Sequence, residues 1–351
     1  MSLLDLSLTD VRCIRHAELT LDPEFNLIWG RNGSGKTSLL EGIFLLGRGR
    51  SFRTRNSERL IHRGQDSLVV FGRVSGAFPT PIGVEVSRGQ GTRARVGQIA
   101  VSSLTDLTQA FPVQIIDPGV HKLLEEGAHR RRRWLDWAVF HVEPQFAEWW
   151  ARYRRALKQR NAALRSDAEA LAWDPELARL GELIDQAREQ VVARLQPHWR
   201  RVIGLLAGFD VELRYNRGWP RDASLRQCLK ESHPRDVARG TTLLGAHRAD
   251  IALRMDSRLA RDVLSRGQQK LVAIAMVLCQ LELLQAEQEL AVTLLLDDPS
   301  AELDEPHLQR FIHELQGLHC QLIVTSLQPG HALFGTPRRV FHVEQGAVRT
   351  V

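Results

Sequence analysis

Polar and apolar residues alternate over much of the first hundred residues, as they do in half-buried β-strands. The alternation predicts strands at residues 4–8, 17–21 and 27–29, and later at 67–74, 82–86 and 93–99, with a continuous apolar strand at 113–116. Arg12 falls in the turn between the first two. The pattern predicts an antiparallel β layer beside a second sheet.

A different period, that of an α-helix, follows the third predicted strand. Leu39, Leu40, Ile43 and Leu46 recur on one face, which predicts a helix beginning near Lys36. Residues 130–190 are rich in Ala, Leu, Arg and Glu, and this helical character continues to about residue 204. Irregular sequence follows around residues 219–220 and 233–234. We therefore predict an inserted, mainly helical domain at residues 128–236, with residues 1–127 and 237–351 forming the other domain.

Aromatic residues in the helical insertion allow two interpretations. One helix places six large side chains on a single face, and Trp134 and Trp137 follow the run Arg130 to Arg133. The six are Phe146, Trp149, Trp150, Tyr153, Leu157 and Leu164. Aromatic rings beside arginines can stack on nucleic-acid bases. Helical spacing favours a buried core, with the arginines exposed beside it.

Length and composition limit the class of protein. A chain of 351 residues suggests two domains, and 43% hydrophobic with 25% charged residues is typical of a soluble protein. We find no apolar run near the roughly 18 residues that span a bilayer, and no signal peptide at the N-terminus. The four cysteines form no C-x-x-C pair, so we expect reduced thiols, no zinc site and a cytoplasmic protein.

The positive charge is carried almost entirely by arginine. The net charge is +6, and only five of the 47 basic residues are lysines, which leaves 42 arginines. Arginine suits phosphate recognition, although a GC-rich genome would produce the same bias. Residues 47–55 are mostly Arg, Ser, Thr and Gly, and we expect them to form a flexible loop that binds phosphate.

A phosphate-binding loop lies between the third strand and the first helix. Residues 30–37 read G-R-N-G-S-G-K-T and fit the pattern G-x-x-x-x-G-K-[ST]. Glycines let successive backbone N–H groups point at phosphate oxygens, and the helix N-terminus adds its positive end. We expect Lys36 to contact the β and γ phosphates and Thr37 to bind Mg²⁺. The predicted ligands of the nucleotide are Gly30, Arg31, Asn32, Gly33, Ser34, Gly35, Lys36, Thr37 and Ser38.

A signature motif follows later in the chain and can contact the γ-phosphate of a nucleotide. Residues 264–268 read L-S-R-G-Q before a long apolar helix and resemble the signature of ABC-type ATPases. Ser265, Gly267 and Gln268 at such a helix start can hold a γ-phosphate. In an ABC-type arrangement this motif serves a second subunit, so we expect a homodimer that forms with ATP.

An apolar strand at residues 291–296 is followed by two carboxylates, Asp297 and Asp298. Asp297 lies 32 residues beyond Ser265. We expect Asp297 to bind Mg²⁺ and Asp298 to align the attacking water as a general base. Asp304 belongs to a predicted D-loop at the dimer seam, and the strand at 321–326 ends in polar residues suited to sensing a γ-phosphate. The alternative is that the carboxylates only cap a helix.

Further motifs resemble the RecF family of bacterial recombination-mediator ATPases, which is related to SMC heads. Residues 49–54 are similar to its G-R-S-F-R-T, 131–136 to its R-R-R-F-L-D and 153–162 to its Y-x-x-x-L-K-Q-R-N-A. Residues 296–304 are similar to L-D-D-V-A-S-E-L-D. Pro299 to Ala301 depart from the middle of the last motif. Residues 245–250 read G-A-H-R-A-D against G-P-H-R-D-D, which leaves the roles of His247 and Arg248 open.

The resemblance implies an α/β fold: an ABC-type P-loop ATPase head, with a mixed sheet and an antiparallel β layer, plus the inserted helical domain. It implies a weak ATPase that binds ATP and Mg²⁺, with Arg12 beside the nucleotide. It also implies binding to DNA, gapped, duplex or at single-strand/double-strand junctions, and action with RecO and RecR to load RecA. We expect DNA contacts from Arg50, Arg53, Arg55, Arg131 and Arg132.

Two other classes share the nucleotide motifs. A transporter subunit would need a surface for membrane helices, and the arginine-rich insertion favours DNA over a membrane. A structural SMC-like protein needs coiled-coil arms of well over a hundred residues, and the predicted insertion has broken periodicity. A nuclease would need an additional acidic cluster, for which we find no candidate.

Overall fold

The structure is a computed structural model that describes residues 1–101, 104–166, 169–288, 290–329 and 334–351. In chain order, the strands are β1 (Leu3–Val11), β2 (Ile14–Thr20), β3 (Phe25–Trp29), β4 (Ser67–Val74), β5 (Thr80–Ser87), β6 (Gly91–Val96), β7 (Ile99–Ala100), β8 (Val113–Ile116), β9 (Glu212–Asn216), β10 (Asp250–Met255), β11 (Arg258–Leu259), β12 (Val292–Leu296), β13 (Cys320–Ser326), β14 (Arg339–Glu344) and β15 (Ala347–Thr350). The helices are α1 (Lys36–Arg48), α2 (Leu104–Ala110), α3 (Lys122–Glu125), α4 (Ala128–Val142), α5 (Phe146–Ala163), α6 (Asp174–Ala207), α7 (Leu225–Arg239), α8 (Ala260–Val263), α9 (Arg266–Gln288), α10 (Pro299–Glu302) and α11 (Glu305–Gln316).

The chain divides into two compact units. The first contains Met1–Val120 and Glu289–Val351, and the second is His121–Gln288. The sequence placed the insertion at residues 128–236, so the second unit extends about 50 residues further toward the C-terminus. It does so because β10 and α9 pack with the helical block. In one such contact the indole N–H of Trp134 on α4 donates to the Met276 carbonyl on α9, at 2.9 Å.

The first unit contains the predicted antiparallel layer. Its strand order is β2-β1-β4-β5-β6-β7, and neighbouring strands are antiparallel. Inward-facing side chains such as Leu8, Val70 and Val84 are buried, whereas their neighbours along each strand point outward. The alternation therefore predicted β1, β2, β4 and β5 with their buried face, whereas a turn divides the single strand expected at 93–99 into β6 and β7.

A second six-stranded sheet in the same unit has the order β15-β14-β3-β13-β12-β8. The strands β3, β13, β12 and β8 are parallel, with Trp29 opposite Ser326 and Leu296 opposite Val324. Helix α1 packs between the two sheets, and Leu39, Leu40 and Ile43 are fully buried. Because parallel strands end at one edge, the segments that follow β3 and β12 meet there.

The second unit is mainly helical and contains a small sheet of order β11-β10-β9. Trp134, Trp137, Phe146 and Tyr153 are buried, which confirms the core interpretation for these four, whereas Trp149 and Trp150 are half-buried. The predicted irregular stretch at 233–234 is wrong, because His233 and Pro234 lie inside α7.

Helix α9 is the hydrophobic centre of the second unit. By length and composition this 23-residue helix could cross a membrane, which corrects the expectation that no apolar run approaches that length. Within its most apolar window, 72% is buried inside the protein. Burial of this extent is that of a core helix.

Candidate nucleotide-binding site

The loop after β3 has a backbone that requires glycine. A Cβ on Gly30 would lie 2.2 Å from the carbonyl oxygen of Val343. Gly33 and Gly35 have φ of 76° and 120°, values that other residues rarely adopt. Helix α1 then begins at Lys36, and no side chain caps its N-terminus. The loop and helix start therefore present backbone N–H groups in the manner of an anion site.

Two side chains of this loop are buried and polar. The Lys36 ammonium donates to the carbonyl oxygens of Gly30 and Arg31, at 2.7 and 3.1 Å, and only 7% of the residue is exposed. Burial lowers the pKa of Lys36, and the charges of Asp298 and Asp297 oppose that shift. The hydroxyl of Ser34 is buried and has no hydrogen-bond partner among the described residues. A buried cation and an unsatisfied hydroxyl in one loop fit a phosphate group.

Asp297 lies at the end of β12, beside the start of α1. The Thr37 hydroxyl is 3.0 Å from one carboxylate oxygen and 3.2 Å from the other, and the Thr325 hydroxyl donates at 2.9 Å. Burial raises the pKa of Asp297, against the lowering effect of these hydroxyls. A hydroxyl and a carboxylate are oxygen donors that suit Mg²⁺, so Thr37 and Asp297 would hold this ion. Bound there, Mg²⁺ would neutralise phosphate charge.

Asp298 adopts a left-handed backbone conformation, with φ 50° and ψ 56°. Such strain in a non-glycine residue is typical of functional sites. Its N–H donates to the Thr325 hydroxyl at 2.9 Å. Although Asp298 occupies the N-cap position of α10, its side chain makes no capping hydrogen bond. The helix-cap alternative therefore does not account for this carboxylate.

Asp304 has a local structural role. Its carboxylate caps α11 by accepting from the N–H of His307 at 3.1 Å. Asp304 thus caps a helix, and its predicted place at a dimer seam stays a prediction.

Glu41 is a residue that the sequence analysis missed. It is fully buried on α1, and its carboxylate accepts from the Ser51 hydroxyl at 2.6 Å. The Arg12 guanidinium binds both of its oxygens, at 2.9 and 3.1 Å. Arg53 lies 3.5 Å away. The sequence did contain a signal for this site, because Glu41 is an acidic residue within a mostly apolar helix. Arg12, expected beside the nucleotide, therefore forms an ion pair with Glu41 of α1.

The stretch 47–55, predicted to be a flexible loop and not a packed element, is partly packed, and its first two residues end α1. Ser51 is buried against Glu41, and its hydroxyl also accepts from the N–H groups of Arg53 and Thr54. Phe52 packs edge-on against Phe44, with ring centroids 5.4 Å apart. Arg50 and Arg55 also have interaction partners. The buried carboxylate organises this segment, because an unpaired charge there would be costly.

The expected DNA contact of Arg131 is contradicted. Its guanidinium binds both carboxylate oxygens of Asp250, at 2.8 and 3.0 Å, and the residue is only 7% exposed. Arg132 donates to the Ala249 carbonyl at 2.6 Å. Arg131 thus holds α4 to β10 in the second unit.

His247 and Arg248 also have structural roles in the second unit. The carbonyl of Thr242 accepts from Nε2 of His247 at 3.1 Å and from Arg248 at 3.2 Å. Since a carbonyl only accepts, Nε2 carries the proton and Nδ1 accepts from the Tyr153 hydroxyl, at 2.8 Å. These contacts connect α5 to the segment before β10.

The signature residues lie at the N-terminus of α9. The Ser265 hydroxyl accepts from the N–H of Gln268 at 3.3 Å, and the Gln268 side chain accepts from the N–H of Ser265 at 2.9 Å. This reciprocal pair is a capping box. A Cβ on Gly267 would meet nothing within 4 Å. Ser265 and Gly267 are exposed, so another molecule can approach this helix start.

Comparisons with known proteins agree with this geometry. The family described as RecF/RecN/SMC N terminal domain matches residues 2–348. A "DNA replication and repair protein RecF" from Shewanella sp. strain MR-4 is 38% identical over 361 residues, covering 100% of both chains. A protein of the same name from Shewanella loihica is 38% identical over 359 residues, again covering 100% of both.

Solved structures share the fold. The "recombination mediator protein RecF-ATP in RecFOR pathway" has a TM-score of 0.90 at 24% identity, covering 100% of this chain and 97% of that one. An SMC head bound to the C-terminal winged-helix domain of ScpA has a TM-score of 0.59 at 14% identity, covering 100% and 98%. The predicted fold class, an ABC-type ATPase head with an antiparallel layer and a helical second domain, is confirmed.

Proposed function

Because this chain belongs to the RecF family, we propose that it is an ATP-dependent DNA-binding protein of recombinational repair and replication. The relatives that are 38% identical over the whole chain are called DNA replication and repair proteins. One observation supports the nucleotide part above all. The Thr37 hydroxyl and the Asp297 carboxylate lie 3.0 Å apart, although 260 residues separate them in the sequence. This contact supports a Mg²⁺ site beside the phosphate loop, with Thr37 and Asp297 as its proposed ligands.

The proposed reaction is a slow, DNA-dependent hydrolysis of ATP to ADP and phosphate. Lys36 would bind the β and γ phosphates, giving up the carbonyl oxygens of Gly30 and Arg31. Asp298, held in its strained conformation by Thr325, would orient the attacking water and accept its proton. Transition-state charge would be stabilised by the loop N–H groups and Lys36.

The proposed active form is a homodimer. Ser265, Gly267 and Gln268 stand at an exposed helix start, whose N–H groups and dipole suit the γ-phosphate held by a second subunit. ATP would thereby join two heads. We propose that the dimer acts at single-strand gaps or junctions, with RecO and RecR, to help load recombinase. A cytoplasmic location follows from this role.

Sedimentation of the protein tests the proposal. The samples are protein alone, with ATP, and with ATP plus gapped, duplex or single-stranded DNA. We expect dimers only with ATP, and co-sedimentation with DNA. ATP hydrolysis should increase when DNA is added. A protein that stays monomeric with ATP, or sediments without DNA in every sample, would contradict the proposal.

A further inference from the structure

Helix α5 and the turn after it carry four exposed basic residues, and no carboxylate in the described part of the chain neutralises them. Arg154, Arg155 and Lys158 on this helix, and Arg165 just beyond it, are all exposed. Among the described residues, no Asp or Glu lies within ion-pair distance of any of the four. Arg165 donates to the Gly240 carbonyl at 3.3 Å, which leaves its charge uncompensated. We call these four residues the α5 basic face.

Several other exposed arginines of the same unit pair with carboxylates. Arg152, one residue before the buried Tyr153, binds Glu148 and Glu176. The same is true of three more: Arg179 with Glu176, Arg194 with Glu287 and Arg221 with Glu189. Pairing with a carboxylate thus distinguishes these four arginines from the α5 basic face. A concentration of uncompensated charge on one helix indicates an external anion.

The α5 basic face lines an open groove of about 770 Å³. Arg154 and Lys158 are one helical turn apart, and Arg165 lies 11 residues beyond Arg154. At 1.5 Å per residue the face extends about 16 Å, which corresponds to roughly five base pairs of duplex at 3.4 Å each. The remaining described lining residues are Ala151, Leu157, Gln159 and Asn161.

None of these described lining residues is aromatic. Sites for single strands usually combine basic grooves with aromatic rings on which bases stack. A groove with cations and amides alone suits a continuous row of phosphates instead. The composition of the groove therefore favours the backbone of a double helix over unstacked bases.

We propose that the α5 basic face of each subunit binds the phosphate backbone of duplex DNA without regard to sequence, so that a monomer binds weakly without nucleotide and the ATP-dependent dimer of the proposed function makes two such contacts. The inference rests on the proposed DNA-binding function and assigns part of it to a surface of the second unit. It replaces the contact expected from Arg131, whose charge Asp250 already neutralises. Each phosphate neutralised releases counterions, so binding through this face weakens steeply with salt.

The test compares two quadruple variants of the full-length protein without nucleotide. The first carries Arg154→Gln, Arg155→Gln, Lys158→Gln and Arg165→Gln. The matched control carries Arg152→Gln, Arg179→Gln, Arg194→Gln and Arg221→Gln, which removes the same charge from paired arginines. Affinity for an intact duplex, without gaps or junctions, is measured between about 50 and 200 mM salt. Thermal unfolding confirms that each variant folds.

For the first variant we expect the slope of log affinity against log salt to become shallower by about 3 to 4, since each phosphate contact contributes roughly 0.9. Affinity at the lowest salt should fall at least about tenfold. The control should keep the wild-type slope within about one. A double variant with Arg154→Gln and Lys158→Gln should show about half the effect.

If the first variant keeps the wild-type slope, the proposal is overturned. Binding of an acidic protein to this face would not rescue it, because the proposed partner is DNA. An equal loss in both quadruple variants would also overturn it, because net charge would then explain the binding. A wild-type protein that binds no DNA under any condition, with or without ATP, would refute the proposed function itself. The two failures are thus distinguishable.

Discussion

Lys36 serves both the phosphate loop and its ligand. Its ammonium is nearly buried and bonds to two carbonyl oxygens of the loop, so it is not the exposed side chain that the motif alone suggests. Phosphate oxygens can take the place of those carbonyls with little movement. The loop is therefore arranged around a cation that nucleotide binding requires.

Replacing Lys36 with methionine should weaken ATP binding about 10- to 100-fold, because a charge-assisted hydrogen bond is worth about 1.5–3 kcal/mol. Dimerisation with ATP should be lost. The free energy of unfolding should fall by about 1–3 kcal/mol, since the carbonyls of Gly30 and Arg31 each lose one hydrogen-bond donor. Nucleotide titration and sedimentation measure both effects. Lys230→Met, on the exposed side of α7, is the control and should resemble wild type.

Arg131 is a basic residue whose burial gives it a structural role. Arg131→Gln would leave Asp250 and the carbonyls of Leu123, Leu124 and Glu126 without their donor. We expect a loss of about 3 kcal/mol in the free energy of unfolding. DNA affinity of the folded protein should not change. Exposed Arg133→Gln should alter stability by about 0.5 kcal/mol or less. Weakened DNA binding by a fully stable Arg131 variant would contradict this assignment.

At the scale of elements, most of helix α9 is buried, whereas its N-terminus is exposed. Leu271 to Leu284 fill the core of the second unit, whereas Ser265 and Gln268 close a capping box at the surface. The helix can thus present its N-terminus without losing its own stability.

Ser265→Arg should separate nucleotide binding from dimerisation. Monomers should bind ATP with nearly wild-type affinity, because the phosphate loop and Asp297 are unchanged, while dimerisation and hydrolysis should fail together. Loss of the cap should cost about 1 kcal/mol of stability. Ser224→Arg removes a comparable cap, that of α7, and should still dimerise with ATP. If Ser265→Arg reduced monomer affinity as strongly as Lys36→Met, a trans role for the signature would be wrong.

A half-buried histidine should make the second unit sensitive to acid. Burial lowers the pKa of His247 to about 4, with Arg248 and Arg132 acting in the same direction and Thr242 and Asp236 opposing. The folded state therefore favours the neutral ring. Stability that is complete above about pH 6.5 should be lost as the pH falls toward 4, by no more than about 3 kcal/mol. Urea unfolding from pH 7 to 4 should show a smaller decline for His247→Gln than for wild type. An identical decline would assign the acid sensitivity to other groups.

At the scale of the whole molecule, the two adjacent carboxylates should control different events. Asp297 contacts Thr37 in the proposed Mg²⁺ site, whereas Asp298 has a left-handed backbone and its side chain makes no capping hydrogen bond. Binding should depend on the first and hydrolysis on the second.

Asp298→Asn should bind ATP but not consume it, so two heads should remain joined. Such a dimer should dissociate from gapped duplex more slowly than wild type, by an amount that falls with salt. Dissociation with ATP at two salt concentrations measures this. Asp297→Asn, the control, should bind nucleotide weakly and hold DNA no longer than wild type. If the Asp298 variant releases DNA as fast as wild type, hydrolysis and release are not linked.

The sequence by itself determined the features that depend on neighbouring residues. Strand alternation, the glycines of the phosphate loop and the start of α1 all follow from local backbone and burial preferences. The strand at 67–74 and the strand at 113–116 were therefore predicted with their observed bounds. The order of motifs also indicated a shared site, although not its contacts.

Tertiary structure alone decided which charged residues are paired. Arg131 meets Asp250 across 119 residues of sequence, Arg188 meets Asp136 across 52, and Arg160 meets Asp236 across 76. Thr37 likewise reaches Asp297 only because β13 lies between β3 and β12 in the sheet. Charge is visible in a sequence, but neutralisation depends on distances of a few ångströms between segments that only folding brings together.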